Sequence, residues 1–395
     1  MCRRSERLKG PGSKLTKKLF AVSAVVGLII SLAGSTPAKN EKTEQPPQKI
    51  ERSLAVDPQA TVTLCVASGT LKVRGWEKSE VRVRSLGATQ VDFRRIDKLK
   101  DASKPATRVD VMVFDRTGVA NPRLDCQAFA NVEMEVPAGA TVQVQTRDGN
   151  ITISGVAAAY AGSQNGDIVI DRATKLVEAG SVGGSISLRD SSGRINLSSA
   201  GGGVEVVNVR AATHEDTFEV GTVSGDIQLD RVSNPKVMAK TVNGTVTMTG
   251  PLAKAGYYGF TNMTGDVVLA LPSDASFRLN AKVSEKHDIM SEFKLTYVED
   301  PPQAPAPRTP AGRPAPATSD APVGPPGAVG TPASPGKVKP ATRPPKAGPV
   351  VAPVVSAGPG TPVPYVLRRV TAICGSGDAT IAVASFGGTV QLRKL

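Results

Sequence analysis

Between residues 60 and 136 apolar and polar positions alternate with a period of two. Ala60-Thr61-Val62-Thr63-Leu64-Cys65-Val66 alternates, and Gly69-Thr70-Leu71-Lys72-Val73-Arg74-Gly75-Trp76 follows after a turn. Glu80-Val81-Arg82-Val83-Arg84-Ser85, Arg108-Val109-Asp110-Val111-Met112-Val113-Phe114 and Asn131-Val132-Glu133-Met134-Glu135-Val136 repeat the style. Side chains of a strand point alternately to its two faces, so this pattern predicts strands with one face buried and one solvated. Val91 to Leu99 fits a strand or a single helical turn equally well. No amphipathic helical pattern follows the N-terminal region.

From residue 149 the alternation becomes a repeat. A glycine precedes a short strand core at Gly149-Asn150-Ile151-Thr152-Ile153, Gly166-Asp167-Ile168-Val169-Ile170 and Gly184-Ser185-Ile186-Ser187-Leu188. Gly203-Val204-Glu205-Val206 is displaced by one position. Gly225-Asp226-Ile227-Gln228-Leu229, Gly244-Thr245-Val246-Thr247-Met248 and Gly265-Asp266-Val267-Val268-Leu269 complete the run, with principal glycines 17 to 22 residues apart. A short extra copy, Gly193-Arg194-Ile195-Asn196-Leu197, intervenes. The residues at Gly+2 and Gly+4 are apolar and bury together, and the one between faces out. About 19 residues make two strands and two corners, one coil of a solenoid whose inner face is buried only by stacking on its neighbours. Glycine is read here as the residue that turns the chain at positive φ.

Residues 301–364 interrupt the pattern with 20 of the chain's 31 prolines. Proline lacks the ladder donor, so the segment reads as a disordered or polyproline-type spacer. Beyond it, Gly377-Asp378-Ala379-Thr380-Ile381 and Gly388-Thr389-Val390-Gln391-Leu392 resume the repeat, which makes the spacer an insertion and the C-terminal pair the last coil or cap. The expected fold is all-β: an N-terminal antiparallel β-section, a β-solenoid-like repeat stack, and a disordered Pro-rich insertion before the last strands. The boundaries are 1–35 for a signal peptide or N-terminal anchor, 36–52 for a flexible leader, 53–140 for the N-terminal section, 141–300 for the Gly-rich stack, 301–364 for the insertion, and 365–395 for the strands that close the stack.

Charge changes the functional picture. The chain carries 48 Lys and Arg against 35 Asp and Glu, a formal +13, which on its face suggests nucleic acid. Counting by segment removes that reading. Residues 1–52 hold 11 basic and 4 acidic residues, 301–364 hold 6 and 1, 365–395 hold 4 and 1, and 53–300 hold 27 and 29. The long central segment is nearly neutral. With aromatics at only 4%, stacking platforms for single strands are missing as well. Arg3, Arg4, Arg7, Lys9, Lys14, Lys17 and Lys18 precede an apolar run from Leu19 to Leu32, too short for a span of ~20 residues, and small residues follow. This is the pattern of an export signal cleaved before Thr36 or retained as an anchor. The expected location is therefore extracytoplasmic, with membrane contact only through this segment.

Export permits disulfides. Cys65, Cys126 and Cys374 lack the close pairs of a zinc site; a Cys65–Cys126 bridge and three small buried hydrophobes are the open alternatives. Gly69 to Trp76, Val136-Pro137-Ala138-Gly139-Ala140, the Gly-Asp-Ile/Val units, and Phe386-Gly387-Gly388-Thr389 together resemble the bacterial putative-adhesin domain family of unknown function, over roughly 53–298 and 365–395. The resemblance implies an exported, repeat-rich all-β protein without established catalytic residues. The Pro-rich insertion departs from that family's compact pattern.

Candidate chemistry is sparse. His214-Glu215-Asp216 and His287-Asp288 read as polar loops, since triads are defined by geometry and not adjacency. Asp167, Asp226, Asp266 and Asp378 follow glycine directly and could form a carboxylate column for Ca²⁺. The nonapeptide calcium repeat needs half this period, so they read as turn residues bonding nearby amides. Asp171, Asp190 and Asp230 sit at similar offsets, where a polysaccharide-cleaving enzyme would place paired carboxylates. The sequons at Asn150, Asn196, Asn243 and Asn262 carry little weight in Thr-rich strands. No catalytic, cofactor or metal residue is assigned. The expected function is a non-catalytic adhesin-like surface or envelope-structural module whose partners are envelope polysaccharide, a surface protein or further copies of itself. Polysaccharide binding or cleavage and a self-assembling scaffold are the alternatives.

Overall fold

The computed structural model describes residues 49–97, 104–115, 126, 128–298 and 367–395, all within a compact unit spanning Pro47–Leu395. The expectations for 1–35, 36–48 and 301–364 lie outside the described residues. Among the described residues every regular element is a strand.

The N-terminal strands are β1 (Lys49–Ser68), β2 (Leu71–Trp76), β3 (Glu80–Leu86), β4 (Gln90–Arg95), β5 (Ala106–Phe114) and β6 (Asn131–Pro137). Fourteen strands follow: β7 (Thr141–Asp148), β8 (Ile151–Ser154), β9 (Ala158–Ser163), β10 (Ile168–Asp171), β11 (Leu176–Ser181), β12 (Ile186–Arg189), β13 (Arg194–Ser199), β14 (Val204–Val209), β15 (Thr217–Ser224), β16 (Ile227–Val232), β17 (Lys236–Asn243), β18 (Val246–Thr249), β19 (Tyr257–Thr264) and β20 (Val267–Leu271). The last six are β21 (Phe277–Ser284), β22 (Ile289–Ser291), β23 (Thr296–Val298), β24 (Leu367–Cys374), β25 (Ala379–Ser385) and β26 (Val390–Lys394).

These strands form two parallel-stacked sheets joined through β1. In sheet A, β6, β2, β8, β10, β12, β14, β16, β18, β20, β26 and β22 pair in that order, all parallel. In sheet B the corresponding order is β5, β1, β7, β9, β11, β13, β15, β17, β19, β25 and β21. One strand from each sheet makes a coil, so the two-strand, two-corner unit expected from the spacing is the observed one. The protein is an all-β, β-solenoid-like stack. Antiparallel pairing is confined to its ends: β3 on β6 and on the start of β1, β4 on β5, and β24 on β21 and β23. The ambiguous stretch after Val91 resolves as β4.

The core lies between the sheets. Ile151, Ile153, Ile168, Ile170, Ile186 and Leu188 of sheet A are buried, facing small residues such as Ala159, Ala161 and Ala179 of sheet B. Large against small lets the two inner faces interdigitate at native density. Further along, Phe218, Tyr258, Phe260 and Phe277 fill the space.

The corner leading from sheet B to sheet A explains the glycines, and the turn chemistry expected accounts for only some of them. Gly244 and Gly265 take the positive φ expected, whereas Gly149, Gly166, Gly184, Gly202, Gly225 and Gly388 do not. What all of them share is that each sits on the carbonyl of the corner glycine one coil away. A Cβ at Gly166 would lie 2.1 Å from the Gly149 oxygen, at Gly184 2.1 Å from Gly166, at Gly202 2.2 Å from Gly184, and at Gly225 2.5 Å from Gly202. The displaced copy is thereby corrected: Gly202, not Gly203, occupies the column, and the wide gap that follows is taken up at the opposite corner by the loop Ala211–Asp216. Three residues before each glycine stands a buried hydroxyl or amide. The side chains of Ser163, Ser181, Ser199, Thr222 and Thr241 donate to the carbonyls of Gly149, Gly166, Gly184, Gly202 and Gly225 at 3.0–3.2 Å. Asn262 Nδ2 does the same for Gly244 at 2.8 Å.

Two further expectations change. Gly193 and Gly377 introduce sheet B strands (β13, β25), so they lie outside the glycine column, whereas Gly388 belongs to it. The C-terminal pair is not the last coil. β25 and β26 insert between β19–β20 and β21–β22, and β21–β22 with β24 and β23 end the stack. The mirror arrangement holds at the other end, where β1–β2 lies between β5–β6 and β7–β8. Cys65 and Cys126 form the disulfide left open above, with Cα atoms 5.0 Å apart, and Cys374 is free.

Gly184→Ala is expected to cost about 3 kcal/mol or more, because a backbone atom obstructs the new methyl. Gly162→Ala, whose Cβ would meet only the Gln145 side chain at 3.7 Å, is expected to change stability by less than about 1 kcal/mol. Urea unfolding of both variants checks the contrast. Thiol titration of the denatured, unreduced Pro47–Leu395 unit should find one thiol; three would contradict the bridge.

Candidate functional site

The buried pairs Ile168/Ile170, Ile186/Leu188, Val204/Val206 and Ile227/Leu229 anchor four neighbouring strands of sheet A. The residues between them must then face outward. In register these are Val169, Ser187, Glu205 and Gln228, spaced about 4.8 Å apart by the ladder. Together with Asp167 and Asp226 they line a shallow depression of about 500 Å³.

Its polar groups differ in what they have left to offer. Asp167 and Asp226 are engaged: their carboxylates accept the amides of Ser185 and Thr245, one coil on, at 2.8 Å each. Asp266 accepts from Thr389 in the same way at 2.8 Å, and Asn150 from Asp167 at 3.0 Å. The Gly-Asp signature is thus an inter-coil clamp. Asp378 stands apart from it, before a sheet B strand. Glu205 takes Arg189 at 3.1 and 3.3 Å while remaining about half exposed. Ser187 Oγ is shielded from solvent and has no hydrogen-bond partner. A buried hydroxyl without a partner is unfavourable.

The other candidates from the sequence do not converge. His214 and Glu215 are 92% and 82% exposed on the loop, 3.9 Å apart, and Asp216 closes that loop by accepting the amides of Ala212 and Thr213. His287 lies in a turn, its amide bonded to the Ser284 carbonyl. Asp171 and Asp230 share a row but are three strands apart, ~14 Å by strand spacing, beyond the ~5–9.5 Å of glycosidase carboxylate pairs. Asp190 lies at a corner with positive φ and bonds Asn208 at 2.6 Å. Asn262 is fully buried, which removes it as a glycan acceptor. Among the described residues no cluster of metal-ligating side chains is present, and no helix is long and apolar enough to cross a membrane. Burial raises the Cys374 thiol above its ordinary value, which keeps it in the unreactive thiol form.

A second polar surface lies at the N-terminal end of sheet A. Arg82 bonds Glu135, and Arg84 bonds Glu51 at 3.1 Å. Trp76 holds the Glu80 carbonyl through its indole N–H at 2.8 Å, with Lys78 and Arg82 over its ring at 5.0 and 4.6 Å. The sequence showed these residues only as alternating strands; their convergence required the β1–β3–β6 pairing.

No curated protein matches the sequence. The family model described as Toastrack DUF4097 matches residues 101–297, just under half of the chain. Among solved structures, a putative cell adhesion protein from Clostridium sporogenes is 8% identical, with coverage of 88% of this chain and 100% of its own and a TM-score of 0.17. A putative adhesin from Parabacteroides merdae is 9% identical, covering 57% and 91%, with a TM-score of 0.36. At those scores neither protein's role transfers to this one.

The hydrogen bond from Arg84, its largest influence, holds the Glu51 carboxyl below its usual value. A carboxyl depressed in the folded state stabilises above its unfolded pKa, and the contribution is lost as pH falls through the folded value. Glu51→Gln should therefore lose less melting temperature than the parent between pH 6 and pH 3, roughly the carboxylate range. Equal losses in a thermal scan would contradict this role for the pair.

Proposed function

We propose that this is an exported, non-catalytic, adhesin-like module that presents the outer face of sheet A to a polyhydroxylated polymer of the cell envelope. The observation that carries the reading is the row Ser187, Glu205 and Gln228, residues of the outer face held in register across three coils and lining one shallow depression. A flat ladder at regular spacing suits an extended, repetitive ligand better than a small molecule, which binds in an enclosing cavity. The basic, apolar and small-residue order of the N-terminus supports export, as does the Cys65–Cys126 bridge, because disulfides persist in oxidising compartments. The separation of Asp171 from Asp230 favours binding over cleavage.

Co-sedimentation of the Pro47–Leu395 unit with insoluble envelope polysaccharide tests the proposal. The unit is expected to pellet with the polymer, and Glu205→Lys with Gln228→Lys to reduce the bound fraction at least ~10-fold, the loss of about 1.4 kcal/mol, without altering the circular dichroism. Binding unchanged by these substitutions would refute the face assignment. Release of soluble sugar would refute the non-catalytic reading.

A further inference from the structure

The two sheets end at different levels at the C-terminal end of the stack. Sheet A finishes with β22, whose coil partner is β21. Sheet B continues past β21 with β24 and then β23. This overhang is two strands deep, about 10 Å by ladder spacing. Its inner row is set by pairing with the buried side of β21: Ala372 opposite Leu279, Val370 opposite Ala281, and Arg368 opposite Val283, with Tyr297 beside Ala372.

The edges there are unlike those at the other end. β22 and β23 read Ile-Met-Ser and Thr-Tyr-Val, without a charge, and Met290, Tyr297 and Val298 are 53%, 63% and 44% exposed. The outermost strands of the opposite end are the start of β1, with Lys49, Glu51 and Arg52, and β4, with Asp92, Arg94 and Arg95. Charged edges are a common protection against edge-to-edge pairing. It is present at one end and missing from the other. Between β22 and the overhang lies a depression of about 680 Å³, with Asp288 and Ile289 on one side and Arg368, Arg369, Val370 and Tyr297 on the other. Asp288 and Arg368 are 4.0 Å apart, with their side chains 87% and 53% exposed.

We infer that this end is a self-complementary interface that takes a second copy of this chain. A twofold rotation about an axis parallel to the strands exchanges the two sheets, so the short sheet A of one copy meets the long sheet B of the other. Each overhang then covers what its partner's inner row leaves accessible, Val370 and Arg368, since Ala372 is already buried within its own copy. The β22 edge of one copy lies beside the β23 edge of the other in antiparallel orientation, because β22 runs with β26 whereas β23 runs opposite to it. A twofold axis perpendicular to the sheets would place short against short and leave Val370 and Arg368 of both copies uncovered. The charges agree with this choice. The acid lies on the sheet A side of the depression and the arginines on the sheet B side, loosely paired at 4.0 Å within one copy, and the rotation also brings the acidic side of each copy against the basic side of the other. Such an isologous contact closes at two copies. Two three-residue edge strands and one shallow depression are expected to bury less than the ~800 Å² per partner of a standard interface, so a reversible dimer weaker than about 1 µM is expected.

Sedimentation velocity of the Pro47–Leu395 unit from about 5 to about 300 µM, a range set by that weak affinity, tests the inference. The expected result is a monomer–dimer equilibrium that Met290→Lys with Tyr297→Lys weakens at least tenfold, with thermal unfolding unchanged. Asp288→Arg alone should weaken it too, and addition of Arg368→Glu should restore it. A strict monomer over this range, species larger than a dimer, or a dimer indifferent to both sets of substitutions would overturn the proposal. Dimers that form only after residues 301–364 are replaced by a short linker would overturn it as well, because the chain's own segment would then be the occupant.

Discussion

The stack depends on one close approach, a carbonyl oxygen of one coil lying where the Cβ of the next would be. Gly149, Gly166, Gly184, Gly202 and Gly225 are each within 2.5 Å of such a clash if given a side chain. That contact fixes the height at which successive coils meet, because the corner cannot slip along the stack without driving backbone into backbone. The hydroxyls three residues earlier complete the corner by donating to the same carbonyls. A backbone acceptor that water cannot reach is thereby satisfied, which buried carbonyls require. The hydrophobic residues supply the driving force, but they alone leave register open. The column decides it.

A one-dimensional stack stabilised by nearest neighbours is vulnerable at its ends. Here both ends are interleaved. β1–β2 is held between β5–β6 and β7–β8, and β25–β26 between β19–β20 and β21–β22. The outermost coil at each end is therefore separated in sequence from the coil it rests on. The terminal coils cannot fray one after another as they would in a sequential solenoid, because removal of the outer coil requires undoing long-range pairings. The disulfide adds to this at the N-terminal end by tying Cys126 to β1 across 61 residues, a linkage worth about 2–4 kcal/mol.

Much of this was legible in the chain. Period-two alternation identified the strands, and the glycine spacing identified the two-strand coil, because both are local consequences of pleat and corner. The role of the glycines was legible only in part: Gly244 and Gly265 take the positive φ expected, but tight packing against a neighbouring backbone selects the same residue and is what the whole column shares. Gly201-Gly202-Gly203 left the column member undetermined for a related reason. The Ser/Thr at Gly−3 was a visible signal, repeated at Ser163, Ser181, Ser199, Thr222 and Thr241, whose meaning needed the inter-coil carbonyl. Nothing local distinguishes a strand that ends a stack from one inserted before its end, so the place of β25 and β26 was unreadable. The surface row Ser187–Glu205–Gln228 consists of residues recognisable one by one as outward-facing; their alignment follows from register across coils of unequal length.

Native-state amide hydrogen exchange tests the governing corner most directly. The amides of Gly184 and Gly202 donate to the Ser181 and Ser199 hydroxyls at 2.9 and 3.0 Å, outside the strand ladders. If the column holds the register of the stack, these amides exchange only through global unfolding, with the same free energy as the ladder amides of Ile186 and Leu188. Exchange of Gly184 and Gly202 through local opening, at rates like those of the loop around His214, would contradict it.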